Sequence, residues 1–290
     1  MQEGLILCRF VHFGAVLLLF GTGLFRHVLF SSALQPFDAS PAGLRLDRAR
    51  MWMSVAALLS ALGWLMLTAA SMAGDWQDAV NPATVMRVLG HTFFGHVWIA
   101  HLALNALTLR WALRAAHSAP RVWMCLTTLL LLTLAPVGHG AMFDGLRGDL
   151  LIFNQMLHLI GVGTWLGGLL MLGVLLRAAN DVDLRSLLQR FSGLGYGLVA
   201  LIIVTGMINV RALSGAVWPQ PALSGFGLVL AVKVALVLCM LLLAGVNRGL
   251  ARAPILQLRV LCVSLLLEGA FGAAALAAVS LLGTLPPLLG

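Results

Sequence analysis

Apolar runs long enough to cross a lipid bilayer recur along the whole of this chain, and they dictate what it can fold into. They lie at about residues 4–29, 50–73, 92–116, 121–137, 151–177, 190–213, 224–247 and 257–283. A helix needs roughly 20 apolar residues to span the hydrocarbon core, and in lipid only helices and closed barrels satisfy their own backbone groups. A barrel would show segments of about ten residues alternating in polarity, and no such alternation occurs. Charged residues are 10% of the 290, against about 25% in a soluble domain, so the polar surface that covers a globule in water is missing. The expected fold is an all-α integral membrane protein, a single domain of eight transmembrane helices over residues 1–290. The first run, Gly4–Leu29, is too long for a signal-peptide core and has no small-residue cleavage site, so it is expected to remain as a helix.

The basic residues sit singly in the connections. After runs one, three, five and seven come thirteen arginines: Arg26, Arg45, Arg48, Arg50, Arg110, Arg114, Arg121, Arg177, Arg185, Arg190, Arg248, Arg252 and Arg259. The opposite side has four, Arg9, Arg87, Arg147 and Arg211. By the positive-inside rule both termini face outward, into the periplasm if the cell is a bacterium. The net charge of +8 includes no Lys/Arg block of the kind that grips nucleic acid. There is no GxxxxGK[ST] sequence, so no ATP site is expected. The four cysteines, Cys8, Cys125, Cys239 and Cys262, lie inside apolar runs and form no CxxC.

With that orientation six of the eight histidines lie toward the outer face: His12, His91, His96, His101, His139 and His158. Met72, Met86, Met142, Met156 and Met207 share that level, and Cys8 lies four residues before His12, on the same helix face. Imidazole with thioether and thiol suits Cu(I), whereas haem b needs one or two axial imidazoles. The plain alternative is that each histidine bonds a neighbouring helix and each methionine fills space. That reading is as good as the functional one for His91 and His96, near the headgroups. It is weaker for His12, His101 and His158, where lipid makes polar side chains costly. Lys233 and Glu268 are the full charges deep in the last two runs, and they are expected to pair. Asn209 and Arg211 could add polar contacts, while Trp165 and Gly167–Gly168 allow close helix approach or room for a flat macrocycle.

A faint repeat runs through the chain. His12 precedes Gly21 by nine residues and His158 precedes Gly167 by nine; Gly95 precedes His101 by six and Gly227 precedes Lys233 by six. Two parallel four-helix halves, 1–149 and 150–290, fit this spacing.

HLIGVGTWLGGLL (His158–Leu170), RFSGLGYGLVALIIVTGMINVRALSG (Arg190–Gly215), VKVALVLCMLLLAGVNRGLA (Val232–Ala251) and LLEGAFGAAALAAVSLLGTLPP (Leu266–Pro287) occur in that order. Together they resemble the bacterial copper resistance protein D family, also called CopD or PcoD, most strongly over residues 150–290. The resemblance implies an eight-span inner-membrane protein that handles copper arriving from the periplasm beside a small separate copper-binding partner of the CopC type. It marks His158, Trp165, Gly168, Asn209, Lys233, Asn247, Arg248, Glu268 and Gly283–Pro287 as pattern residues without saying which touch metal.

Two functions follow as expectations. In the first, His139, Met142, Met156 and His158 capture Cu(I), with His12, His96 and His101 deeper, and the protein binds copper and moves it across or into the membrane. Few soft donors lie below the midplane, chiefly Met171, Cys239 and Cys262, which argues against a continuous path. In the second, the protein is a b-type cytochrome whose haem is held by histidines drawn from His12, His96, His101, His139 and His158. A membrane scaffold with structural histidines is the third possibility.

Overall fold

The computed structural model describes residues 1–114, 119–138, 143–178 and 182–285, and contains no strand among them. Its helices are α1 (Gln2–Leu24, continued by a π-helical turn Phe25–Leu29), α2 (Gln35–Asp38), α3 (Pro41–Ala73), α4 (Pro82–His91), α5 (Phe93–Ala112), α6 (Pro120–Leu132), α7 (Gly145–Ala178), α8 (Leu184–Ser214), α9 (Gly225–Arg252) and α10 (Leu258–Leu282). Seven are long and apolar enough to cross a membrane (α1, α6 counted with their short continuations), and α4 with α5 forms an eighth only as a pair bent by 101°.

The two chain ends bear on how the bent pair counts. Gln2 Nε2 donates to the Thr284 hydroxyl at 3.4 Å, and Arg9 Nη1 donates to the Gly283 carbonyl at 3.2 Å. The start of α1 and the end of α10 therefore share one end of the bundle, here termed the terminal face. A chain returns to its starting side only after an even number of crossings, so this arrangement suits α4 and α5 counted together as an eighth candidate span beside the other seven. The bend falls at Thr92, whose hydroxyl donates to the Val88 carbonyl at 2.7 Å and accepts from the Gly95 amide at 2.9 Å. It ends one helix and caps the next. Gly95 is needed there because a side chain would overlap the Val88 carbonyl.

Several helices overrun the apolar runs that announced them. The second span starts at Pro41 rather than near residue 50, because Ser40 caps it by accepting from the Gly43 amide at 3.1 Å. Its first turns carry polar residues that pack on the preceding loop. Arg26 Nε donates to Asp38 at 2.7 Å and Arg26 Nη1 to Asp47 at 2.6 Å, so this buried arginine is neutralised in place.

Two large apolar clusters make most of the core among the described residues, beside a small third of Phe226, Leu230 and Leu282. One gathers Trp64, Trp98 and Trp123 among α1, α3, α5 and α6; the other lies among α7, α8, α9 and α10. Between them α1 crosses α7 backbone to backbone: a methyl on Gly21 would overlap the Gly163 carbonyl, and one on Gly167 would overlap Gly21. Gly163 and Gly167 are spaced as in the small-residue motif that lets membrane helices approach closely.

Candidate functional site

His12 in α1 and His101 in α5 are both completely buried, and their Nε2 atoms face each other at 2.7 Å. What surrounds them bears on where their protons are. His12 Nδ1 is 3.0 Å from the Ala57 carbonyl and 3.1 Å from the Ser60 hydroxyl, both on α3. A carbonyl can only accept, so Nδ1 carries the proton and Nε2 a lone pair. His101 Nδ1 is 2.7 Å from Thr133 Oγ1, which itself lies 2.9 Å from the Leu130 carbonyl. The Thr133 hydroxyl can donate to His101 Nδ1 or accept from it, so the short contact is satisfied when His101 donates its Nε2 proton to the His12 Nε2 lone pair. A soft metal ion in place of that proton would have both Nε2 lone pairs, with Thr133 then accepting from His101 Nδ1.

The walls are aromatic. Trp98 stacks on His101 with ring centroids 4.6 Å apart, and Trp64 meets His12 edge-on at 5.9 Å. The Trp98 Nε1 donates to the Ala61 carbonyl at 3.0 Å, which fixes the ring. Cys8, one helical turn nearer the terminal face than His12, has its Sγ 3.0 Å from the point where Gly63 of α3 would carry a Cβ. It lies in the same α1–α3 seam as the pair.

His158 does not join them. Its Nδ1 is 2.8 Å from Thr205 Oγ1 on α8, and that hydroxyl lies 2.6 Å from the Leu201 carbonyl. It lines a separate cavity of about 250 Å³ with Arg9, Gln155, Trp165, Asn209 and Lys233 among apolar side chains. Among the described residues, the single pocket of converging imidazoles expected from the sequence is thus a buried pair, with His158 bonded elsewhere.

Other expectations fall differently. His96 is exposed and its Nε2 donates to the Gly90 carbonyl at 3.0 Å, tying down the α4–α5 bend rather than lying deep. Met156 packs, half-buried, against the first core cluster. His139 and Met142 lie outside the described residues. Lys233 and Glu268 form no ion pair: Glu268 accepts from Trp165 Nε1 and Asn247 Nδ2, each at 2.7 Å. Depth explains it. Lys233 is eight residues from the terminal-face end of α9 and Glu268 fourteen from that of α10, a difference of about 9 Å at 1.5 Å per residue. Asn209 accepts from Asn154 at 2.9 Å and donates to Gln155 at 2.8 Å.

Among the described residues no three His, Cys, Asp or Glu side chains come together. A two-imidazole site is what the fold offers, and Cu(I) accepts so few ligands. Around the candidate haem ligands, Trp98 lies on His101, α1 packs on Gly163 and Gly167, α8 packs on Gly161 and Gly168, and His158 is the one imidazole among the described residues lining the cavity. The hydroxyls of Ser60, Thr133 and Thr205 escaped the sequence reading, because such groups in membrane helices ordinarily bond their own backbone.

Residues 1–149 match the N-terminal domain described as copper resistance protein D-like, and residues 185–282 match copper resistance protein D. The chain belongs to the copper resistance protein D family. Inner membrane protein YebZ of Escherichia coli (strain K12) is 29% identical over 290 residues, covering 97% of this chain and 98% of that one. Copper resistance protein D of Pseudomonas syringae pv. tomato is 32% identical over 193 residues, 63% of this chain and 62% of its relative. No solved structure matches. The first matched segment contains His12 and His101, and the second contains Asn209, Lys233, Asn247 and Glu268.

Proposed function

We propose that this protein takes up copper as Cu(I) at the periplasmic face of the bacterial inner membrane and holds it between His12 and His101. The observation that carries the reading is the buried pair of Nε2 atoms 2.7 Å apart, each ring with an oxygen in place to accept its Nδ1 proton, the Ala57 carbonyl for His12 and the Thr133 hydroxyl for His101. Metal–imidazole bonds of about 2.0–2.1 Å would need the rings to part by roughly 1.3 Å from their 2.7 Å separation. Cu(I) then takes the place of the shared proton. The arginine bias supports a periplasmic terminal face, and the relative named as an inner membrane protein supports that membrane.

Entry is from the terminal face along the α1–α3 seam, with the Cys8 thiol preceding the pair. Met72, Met86, His91 and His96 are all exposed on the stretch around α4, where a separate periplasmic carrier of the CopC type could hand over its ion. His139 and Met142 are kept as further capture ligands. Beyond the pair the buried groups are oxygen donors: Asn105, whose Nδ2 donates to the His101 carbonyl at 3.0 Å, then Ser54 and Thr108. Such groups suit the departing proton better than Cu(I), so movement of copper onward is the slower part of the cycle.

The halves 1–149 and 150–290 are parallel counterparts in this reading. Ser60 and Thr205 take the same place against His12 and His158, and His101 corresponds to Lys233. The test is copper retention by detergent-purified protein under reducing conditions. About one Cu(I) per chain, lost in His101→Ala, supports the proposal; equal retention by the two proteins overturns it.

A further inference from the structure

The cavity that His158 lines contains cations without an anion. Arg9 places one guanidinium nitrogen on the Gly283 carbonyl and lies 4.8 Å from the Trp64 ring, but its buried Nε has no hydrogen-bond partner. Lys233 makes no hydrogen bond or ion pair with any described residue, and no Asp or Glu is among the residues lining the cavity. A lysine and an arginine at membrane depth with no carboxylate beside them are costly to keep charged. They share a level: Arg9 is seven residues into α1 and Lys233 eight into α9, about 10 and 12 Å from the terminal-face ends. Toward the membrane centre the lining turns apolar, with Leu166, Val237, Met240 and Leu241. The polar groups are thus at one end and the hydrocarbon wall at the other.

We propose that this cavity binds an anionic lipid, its carboxylate or phosphate head between Arg9 and Lys233 and an acyl chain along the apolar wall toward Met240. The chemistry is that of an amphiphile with one charged end. A small free anion would leave the apolar length of the cavity unfilled, and a neutral lipid would leave both cations unbalanced. The site is separate from the His12–His101 pair and does not depend on copper.

Native mass spectrometry of the full chain released from mild detergent tests this. One acidic lipid per chain is expected on the wild type, its mass distinguishing a fatty acid from a phospholipid. Occupancy should fall at least tenfold in Lys233→Met and in the Arg9→Gln/Lys233→Met double variant, and return in Lys233→Arg. Delipidated protein should be stabilised against heat by oleate and not by inorganic phosphate. Wild-type protein without an acidic lipid, undiminished occupancy in Lys233→Met that elutes as a single helical species, or equal stabilisation by inorganic phosphate would each overturn the proposal. Should the double variant misfold, the single variant and the oleate comparison decide.

Discussion

Gly21 of α1 and Gly167 of α7 rest against each other at the centre of the bundle, and each lies nine residues beyond a buried histidine. The contact sets His12 and His158 at matching heights, about 13 Å above the crossing at 1.5 Å per residue. Around each ring a hydroxyl from the next helix meets Nδ1: Ser60 at 3.1 Å and Thr205 at 2.8 Å. One crossing thereby positions two polar sites, only one of which has a second imidazole among the described residues.

The crossing itself can be tested. Gly167→Ala places a methyl into the Gly21 backbone, whereas at Gly173, two turns on, the same methyl meets nothing within 4 Å. Overpacking of this kind costs about 1–3 kcal/mol. Gly167→Ala should lower the thermal unfolding midpoint in detergent by several degrees and Gly173→Ala should leave it unchanged, as followed by circular dichroism.

Glu268 ties α10 to α7 and α9 through Trp165 and Asn247. Glu268→Leu strands two buried donors at about 1–3 kcal/mol each, while Glu268→Gln keeps one acceptor. Stability should fall in the order wild type, Gln, Leu, and the Trp165 contribution to fluorescence should shift in both variants. Equal stability of the Leu variant and the wild type would show that these bonds contribute nothing net.

Thr133 is predicted to act on copper through His101 without touching it. Thr133→Val removes the hydroxyl that accepts the His101 Nδ1 proton when Nε2 turns to metal, so the metal-binding tautomer loses its support. Loss of such a supporting bond typically costs 10–100-fold in metal affinity. Competition with a chromophoric Cu(I) chelator measures it, and Thr133→Ser should restore the wild-type value.

How much of this was legible beforehand varied with the physics involved. Helix number came directly from apolar length, because lipid forces the backbone to satisfy itself. Helix starts did not: α3 begins nine residues before its apolar run, because the Ser40 cap and Arg26–Asp47 pairing lie outside lipid, where hydropathy carries no information. His12 and His101 were visible as costly polar groups, but pairing them requires knowing which faces of α1 and α5 meet. Lys233 and Glu268 looked like partners because each is deep in its run, and a depth difference of about 9 Å separates them. His96 looked like a member of the cluster because a 101° bend cannot be read from composition. The repeat spacing was the more informative signal, since Gly21 and Gly167 do meet.

If the halves correspond, Lys233 stands where His101 stands in the first half. Lys233→His should then supply the missing imidazole beside His158 and raise bound Cu(I) from about one to about two per chain, read by metal analysis of the desalted protein. A stoichiometry unchanged from wild type would break the correspondence while leaving the first site intact. Dithionite-reduced wild-type protein is expected to show no Soret band.

X-ray absorption at the copper edge tests the central claim most directly. Cu(I)-loaded protein should show two nitrogen scatterers at about 2 Å, with the outer-shell pattern of imidazole and no sulfur, and the signal should vanish in His12→Ala and His101→Ala alike. A sulfur-dominated shell, or an unchanged spectrum in either variant, would place the copper elsewhere and contradict the account.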